Sequence, residues 1–264
     1  MSLRRHRRPG RRRPRHGWPA AVVLALGAAA GGAGCAPDPP PGTAAVPVAV
    51  TAAAVASDPS GAGASGTTGH ILTEARGFVF RARNAACLSV GTAFAVTDGS
   101  ASVVTNRHVA AGATHLDLST WDGRDFTSQV AGHANAEDLA VLLASPPGPG
   151  SAPLAAADPL AGTPVYVAGY PLGNQLTVTS GRVLGTVAGA QVGLGGPVME
   201  ISNPIQHGNS GSPVLDPSGN VVGVVFALDT ATGDGLAMPV SQLRALLSGA
   251  ALDPAPLACA PVSP

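Results

Sequence analysis

The chain contains no lysine: its fifteen cationic Lys/Arg residues are all arginine, and eight of them fall within the first fifteen positions. All fifteen carboxylates lie beyond position 35, so without its leader the chain sets seven arginines against fifteen acids, a net charge of −8. A folded part of that sign lacks the electrostatic footprint for nucleic acid or for an anionic membrane surface, and neither is expected as a partner. Cysteine is limited to three residues, and no His/Cys spacing fits a zinc site, so no metal is expected. Gly193-Leu194-Gly195-Gly196-Pro197 lacks the lysine and the strand-to-helix setting of a phosphate-cradling loop, and no cofactor is implied.

A membrane-length apolar run is also lacking. The Arg-rich opening precedes an apolar stretch from Trp18 to about Ala30 and then small residues up to Cys35. That is shorter than the roughly 20 residues a spanning helix needs, and its order is that of an export signal over residues 1–35. A permanent N-terminal anchor is the alternative. Gly32-Ala33-Gly34-Cys35 is similar to a bacterial lipobox, departing from it at Gly32; Cys35 is the lipidation candidate and would tether the chain to a membrane. Residues 36–69 are Pro, Ala, Gly, Ser and Thr with almost no large apolar side chains. They cannot bury enough surface to offset the entropy of ordering, and read as a disordered tether.

Residues 70–264 form the folded domain, long enough for one sizeable core or two small halves. Its pattern is strand-like. Gly91–Val96 and Ala101–Thr105 flank the turn Asp98-Gly99-Ser100, and His115–Leu118 and Phe126–Val130 flank Trp121–Arg124, so each set reads as a hairpin. Val165–Gly169, Leu176–Thr179, Gly181–Leu184, Val198–Ile201 and Val221–Phe226 continue the series, and only Val240–Leu247 reads as a helix. Frequent short strands with turn signals predict an all-β barrel or sandwich, divided near its middle by a Pro/Gly-rich break at Ser145–Gly150. With Cys35 set aside, Cys87 and Cys259 stand at the two ends of this domain. A disulfide between them suits an exported chain and would contribute on the order of 4–5 kcal/mol, although three cysteines leave other pairings open.

The chemistry is concentrated in Gln206-His207-Gly208-Asn209-Ser210-Gly211-Ser212-Pro213. Its glycines allow a tight turn in which the N–H groups of Gly208 and Ser210 point together at a developing oxyanion, while Ser210 Oγ stands clear of the core. Such a nucleophile requires a base and the base an orienting carboxylate. His108 lies at the end of a strand in Thr105-Asn106-Arg107-His108-Val109, and Asp138 immediately precedes the apolar run Leu139-Ala140-Val141-Leu142. His115 and His133 have no supporting partners at a useful spacing and read as structural or exposed.

These three blocks, in the order His, Asp, Ser, resemble those of trypsin-like serine proteases of the HtrA kind, and Gly91-Thr92-Ala93-Phe94-Ala95-Val96 is similar to the strand preceding the histidine block. The serine block is also similar to that of bacterial glutamyl endopeptidases. The likeness is nearest to periplasmic actinobacterial HtrA-like proteases with a disulfide spanning the domain. The resemblance implies two six-stranded antiparallel barrels, the first over about 70–145 and the second over about 160–250, with a short C-terminal helix. It also implies acyl transfer to protein or peptide substrates through His108, Asp138 and Ser210, with Gly208, Asn209 and Ser210 forming the oxyanion hole. His207, Val225, Phe226 and Ala227 are expected to line the substrate cleft. That wall offers no acid to pair with Arg or Lys, so a small or medium apolar side chain is expected before the scissile bond. A protease-fold module with a silenced site is the alternative. Arg107, Ala93 and Ser212 depart from the commoner residues at their positions without removing a catalytic group.

Overall fold

The computed structural model describes residues 61–97, 102–145, 150–249 and 252–259. The export segment, Cys35 and most of the tether lie outside the described residues. Two closed barrels of six antiparallel strands make up the molecule. The first contains β1 (Val79–Asn84), β2 (Ser89–Ala95), β3 (Ser102–Thr105), β4 (His115–Ser119), β5 (Asp125–His133) and β6 (Ala140–Ser145), in the order β1-β2-β3-β6-β5-β4. The second contains β7 (Pro164–Gly169), β8 (Thr177–Ala188), β9 (Pro197–Ile201), β10 (Pro213–Leu215), β11 (Val221–Leu228) and β12 (Gly235–Pro239), in the order β10-β11-β12-β9-β8-β7. Closure leaves neither sheet with a free edge.

Both expected hairpins of the first barrel are present, with Phe94 opposite Val104 and His115 opposite Gln129. Leu176–Thr179 and Gly181–Leu184, which read as two strands, belong largely to the single strand β8. Gly181 lets β8 run through, because a Cβ there would stand 2.3 Å from Asn203 Oδ1. The predicted break is in part a stitched connection. Ala152 exchanges backbone bonds with Ala95 and Thr97 of the first barrel, and Pro153 O accepts from Val221 of the second.

One apolar cluster fills the first barrel around Phe80, Phe94, Leu116, Leu118 and Leu142 and continues to Tyr166, Tyr170 and Leu215. A second, around Val167, Met199, Ile201, Val214 and Val225, fills the second barrel. Period-two alternation gives each strand its inward face.

Helices exceed expectation. α3 (Val240–Leu247) is where the sequence places it, buried through Val240, Leu243 and Leu246. α1 (Gly61–Ala75) begins inside the stretch assigned to the tether, and α2 (Arg107–Ala110) is a single turn. α1 carries four glycines in fifteen residues, an intrinsically poor helix sequence. It owes its helix to packing on β7 and β8, with Ile71 and Ala75 both fully buried, a tertiary effect that composition does not reveal.

Candidate active site

Local physics positions the histidine and the aspartate from the same barrel. β3 ends at Thr105, and fully buried Asn106 begins α2. Asn106 does not use its side chain to cap that turn; its Nδ2 instead donates to the Asp138 carbonyl at 2.8 Å, pinning the β5–β6 connection to the start of α2. The Asp138 carboxylate then grips His108 twice. Oδ1 accepts the His108 backbone N–H at 3.0 Å, and Oδ2 stands 2.5 Å from His108 Nδ1. The Asp138 side chain is 10 % exposed and that of His108 43 %, so the carboxylate is withdrawn from water while the ring reaches it.

The serine loop is held from both barrels. From Gln206 to Ser210 every carbonyl has a donor: Gln206 O takes Asn209 N–H, His207 O takes Leu172 N–H at 2.6 Å, Asn209 O takes Ser212 N–H, and Ser210 O takes Thr92 N–H at 2.8 Å. Gly208 O takes the Thr92 hydroxyl, also at 2.8 Å. Buried backbone groups seldom go unpaired, so the accounting is informative. Among the described residues, the N–H groups of Gly208 and Ser210 have no protein acceptor, and neither has that of exposed His207. Because a peptide N–H points opposite its carbonyl, the Leu172 bond to His207 O turns the Gly208 N–H the other way. Gly208 has φ +91, and a Cβ there would lie 2.3 Å from Tyr170 O, so no other residue fits without displacing the loop. Leu172, which supplies the donor to His207 O, is one of two non-glycine residues with positive φ among the described residues, at 56°. That is the kind of backbone strain that surrounding contacts must hold in place. Tyr170 is buried, which pushes its phenol up to about 12 and keeps it neutral beneath the loop.

No protein group among the described residues hydrogen-bonds Ser210 Oγ. Catalytic hydrogen bonds of this kind are often long until substrate tightens them. Beside His108 and Asp138 lies a cleft of about 640 Å³, walled by Arg107, Leu194, Phe226 and Leu257 among others. Phe226 is turned into it by a bulge in the β11–β12 ladder, whose register shifts between Val225 and Ala227.

One cleft expectation needs correction. Val225 is fully buried and points into the second barrel's core; its contribution is backbone, accepting Gly211 N–H at 2.8 Å and donating to Ser212 O at 2.9 Å. His207 is exposed, and neither it nor Ser210 is among the residues lining this cleft. Ala227 is partly buried against the first core cluster. Arg107 lines the cleft, with Nη1 donating to Asn135 O at 2.9 Å. His115 is exposed beside Thr114, and His133 is buried with its ring nitrogens against the carbonyls of Ala134 and Ala255.

Three features were not legible in the sequence. Thr92 and Leu172 act through partners far along the chain. The third is the course of the C-terminal segment 252–259 along the first barrel, where Asp253 pairs with His133 and Gly112 N–H donates to Leu257 O; the Cys87–Cys259 disulfide that ends it is the bond expected from the sequence.

Two closed six-stranded barrels, the first carrying the His–Asp pair and the second the glycine-rich serine loop, define the chymotrypsin-like architecture. The chain belongs to the trypsin-like peptidase domain family, whose description matches residues 91–224, a little over half its length. It is 37% identical over 160 residues to the putative serine protease HhoA of Synechocystis, covering 57% of this chain and 40% of that one. It is 31% identical over 174 residues to the serine protease Do-like HtrA of Bacillus subtilis, covering 58% and 37%. The chain thus spans well under half the length of these relatives. Among solved structures, the active form of the Rv3671c protease from M. tuberculosis superimposes with a TM-score of 0.65 at 26% identity, covering 76% of this chain and 92% of that one.

Proposed function

We propose that this protein is an exported serine endopeptidase that cleaves peptide bonds through an acyl-enzyme. Ser210 Oγ attacks the substrate carbonyl as His108 Nε2 takes its proton. Asp138 keeps the other ring proton on Nδ1 and stabilises the imidazolium that forms. The negative charge that develops on the carbonyl oxygen is received by the Gly208 and Ser210 N–H groups. The C–N bond then breaks, with His108 returning the proton to the leaving amine, and water attacks the Ser210 ester by the same route in reverse. What carries this reading is the hydrogen-bond accounting of the serine loop, which leaves those two N–H groups without a protein acceptor on either side of Asn209, together with a histidine held by a buried carboxylate. Each such donor is worth roughly 3–4 kcal/mol of transition-state stabilisation. The export segment and the periplasmic label of one relative, the probable serine protease do/HhoA-like of Haemophilus influenzae, support action outside the cytoplasm. We infer lipid attachment through Cys35 only as an extension of that route.

The test is labelling of the folded protein with a serine-directed fluorophosphonate and location of the adduct by mass spectrometry. One adduct on Ser210 is expected; folded protein that takes up none would point to the silenced module instead. In a peptide library, cleavage after small or medium apolar residues is expected, since the wall Val224-Val225-Phe226-Ala227-Leu228 contains no acidic residue; dominant cleavage after Arg or Lys would overturn that preference. Gly208→Ala is expected to fold but to lose at least about 10²–10³ in kcat, since its Cβ would displace one oxyanion donor. Near-normal kcat in this variant would remove Gly208 from the hole.

A further inference from the structure

The geometry points to the hydroxyl of Thr92, a residue of the other barrel, as the group that sets the oxyanion loop; it is a positioning residue for the reaction proposed above and rests on that reading. Thr92 lies in β2 and is fully buried. Its Oγ1 donates to Gly208 O at 2.8 Å and accepts Tyr170 N–H at 3.1 Å. A carbonyl cannot donate and an amide N–H cannot accept, so the single hydroxyl proton has one possible assignment and the rotor is locked. The same residue grips the loop again through its backbone, with Thr92 N–H on Ser210 O at 2.8 Å. Its own carbonyl is fixed in turn by the Thr105 hydroxyl at 2.7 Å.

The two ends of the Thr92 hydroxyl bond serve the two proposed oxyanion donors. Holding Tyr170 N–H anchors the turn whose Leu172 N–H binds His207 O, and that bond orients the Gly208 N–H. Holding Gly208 O, together with the backbone grip on Ser210 O, fixes the peptide planes on either side of the Asn209–Ser210 bond. The Ser210 N–H shares the peptide between them with Asn209 O, which takes Ser212 N–H, so it points away from that bond, and the two fixed planes hold it there. The hydroxyl is thus the point at which the histidine-bearing barrel sets the geometry of the serine-bearing one. A buried threonine that merely satisfies two backbone groups would make the same two bonds, so the test must separate stability from catalysis.

Thr92→Val keeps the shape and removes the hydroxyl, leaving Gly208 O and Tyr170 N–H to find partners by rotating the loop. In the full chain we expect kcat to fall about 100-fold with KM changed less than about threefold, and fluorophosphonate labelling to slow in parallel, as for loss of one oxyanion donor. Thr92→Ser restores the hydroxyl and should return kcat to within severalfold of wild type. Ser128→Ala serves as the control. It deletes a buried hydroxyl bond in the same barrel, Ser128 Oγ on Leu116 O, without touching Thr92 or the serine loop, and should lower the melting temperature while leaving kcat within severalfold. If wild type is labelled but Thr92→Val matches it, or if Ser128→Ala loses as much kcat as Thr92→Val, the positioning role is wrong while the protease reading stands. If Thr92→Val does not fold, Thr92→Ser decides: a loss above about thirtyfold in that folded variant sinks the proposal. Unlabelled wild type would instead sink the protease reading.

Discussion

Asp138→Asn is expected to lower kcat about 10⁴-fold with the fold intact, the size known for the same change in a Ser-His-Asp protease. The reason is visible in how the carboxylate is used. Its two oxygens face two donors, the His108 backbone N–H at 3.0 Å and Nδ1 at 2.5 Å. An amide has one acceptor oxygen and one donor nitrogen. If the oxygen stays on the backbone N–H, the amide NH₂ faces Nδ1, which must then accept. The ring proton is driven to Nε2, and the histidine can no longer take the proton of Ser210. If the amide flips, its NH₂ faces the backbone N–H, donor against donor, and the turn at α2 is disturbed. Neither orientation serves. The measurement is kcat on a chromogenic peptide ester or anilide, with circular dichroism to show that the barrels persist. A loss smaller than about tenfold would mean that Asp138 does not hold the base.

The three blocks proposed to carry catalysis are legible because each is local. A histidine just beyond a strand, a carboxylate at the head of an apolar strand and a serine in a glycine-rich turn can each be read from a few neighbouring residues. The barrels followed from short strands at regular intervals. What escaped the sequence is what is held together across distance. Thr92 sits in a run that reads only as a strand, because the hydroxyl's partners, Gly208 and Tyr170, lie on the other barrel. Val225 is expected in the cleft from its position relative to Ser210, but it turns inward to the core and the bulge turns Phe226 outward. α1 was hidden by its glycines and is helical only because two side chains find a buried site. Each miss is a case of tertiary context deciding what propensity leaves open.

The disulfide raises the other large expectation. Cys87 and Cys259 are 172 residues apart, so their bond removes a long loop's worth of freedom from the unfolded chain. The chain-entropy model gives about 5 kcal/mol for a loop of this length. The Cys87→Ser/Cys259→Ser double variant should approach that loss, read as a lowered denaturant midpoint with a steeper slope, since the unfolded chain without its cross-link exposes more surface. The native state sets a ceiling on the effect. With the bond gone, segment 252–259 is still held by the Asp253–His133 pairing, the His133 ring on Ala255 O and Gly112 N–H on Leu257 O. If those bonds fail locally, the segment frays while the barrels stay folded, and the reduced native state gains freedom that offsets part of the global loss. The two outcomes separate in function. Leu257 and Ala258 form part of the cleft beside His108 and Asp138, so local release should raise KM for extended peptides and spare labelling by a small fluorophosphonate. Purely global destabilisation would leave KM unchanged at temperatures where the variant is folded. An unchanged midpoint and an unchanged KM together would show that the bond stabilises neither the domain nor its cleft.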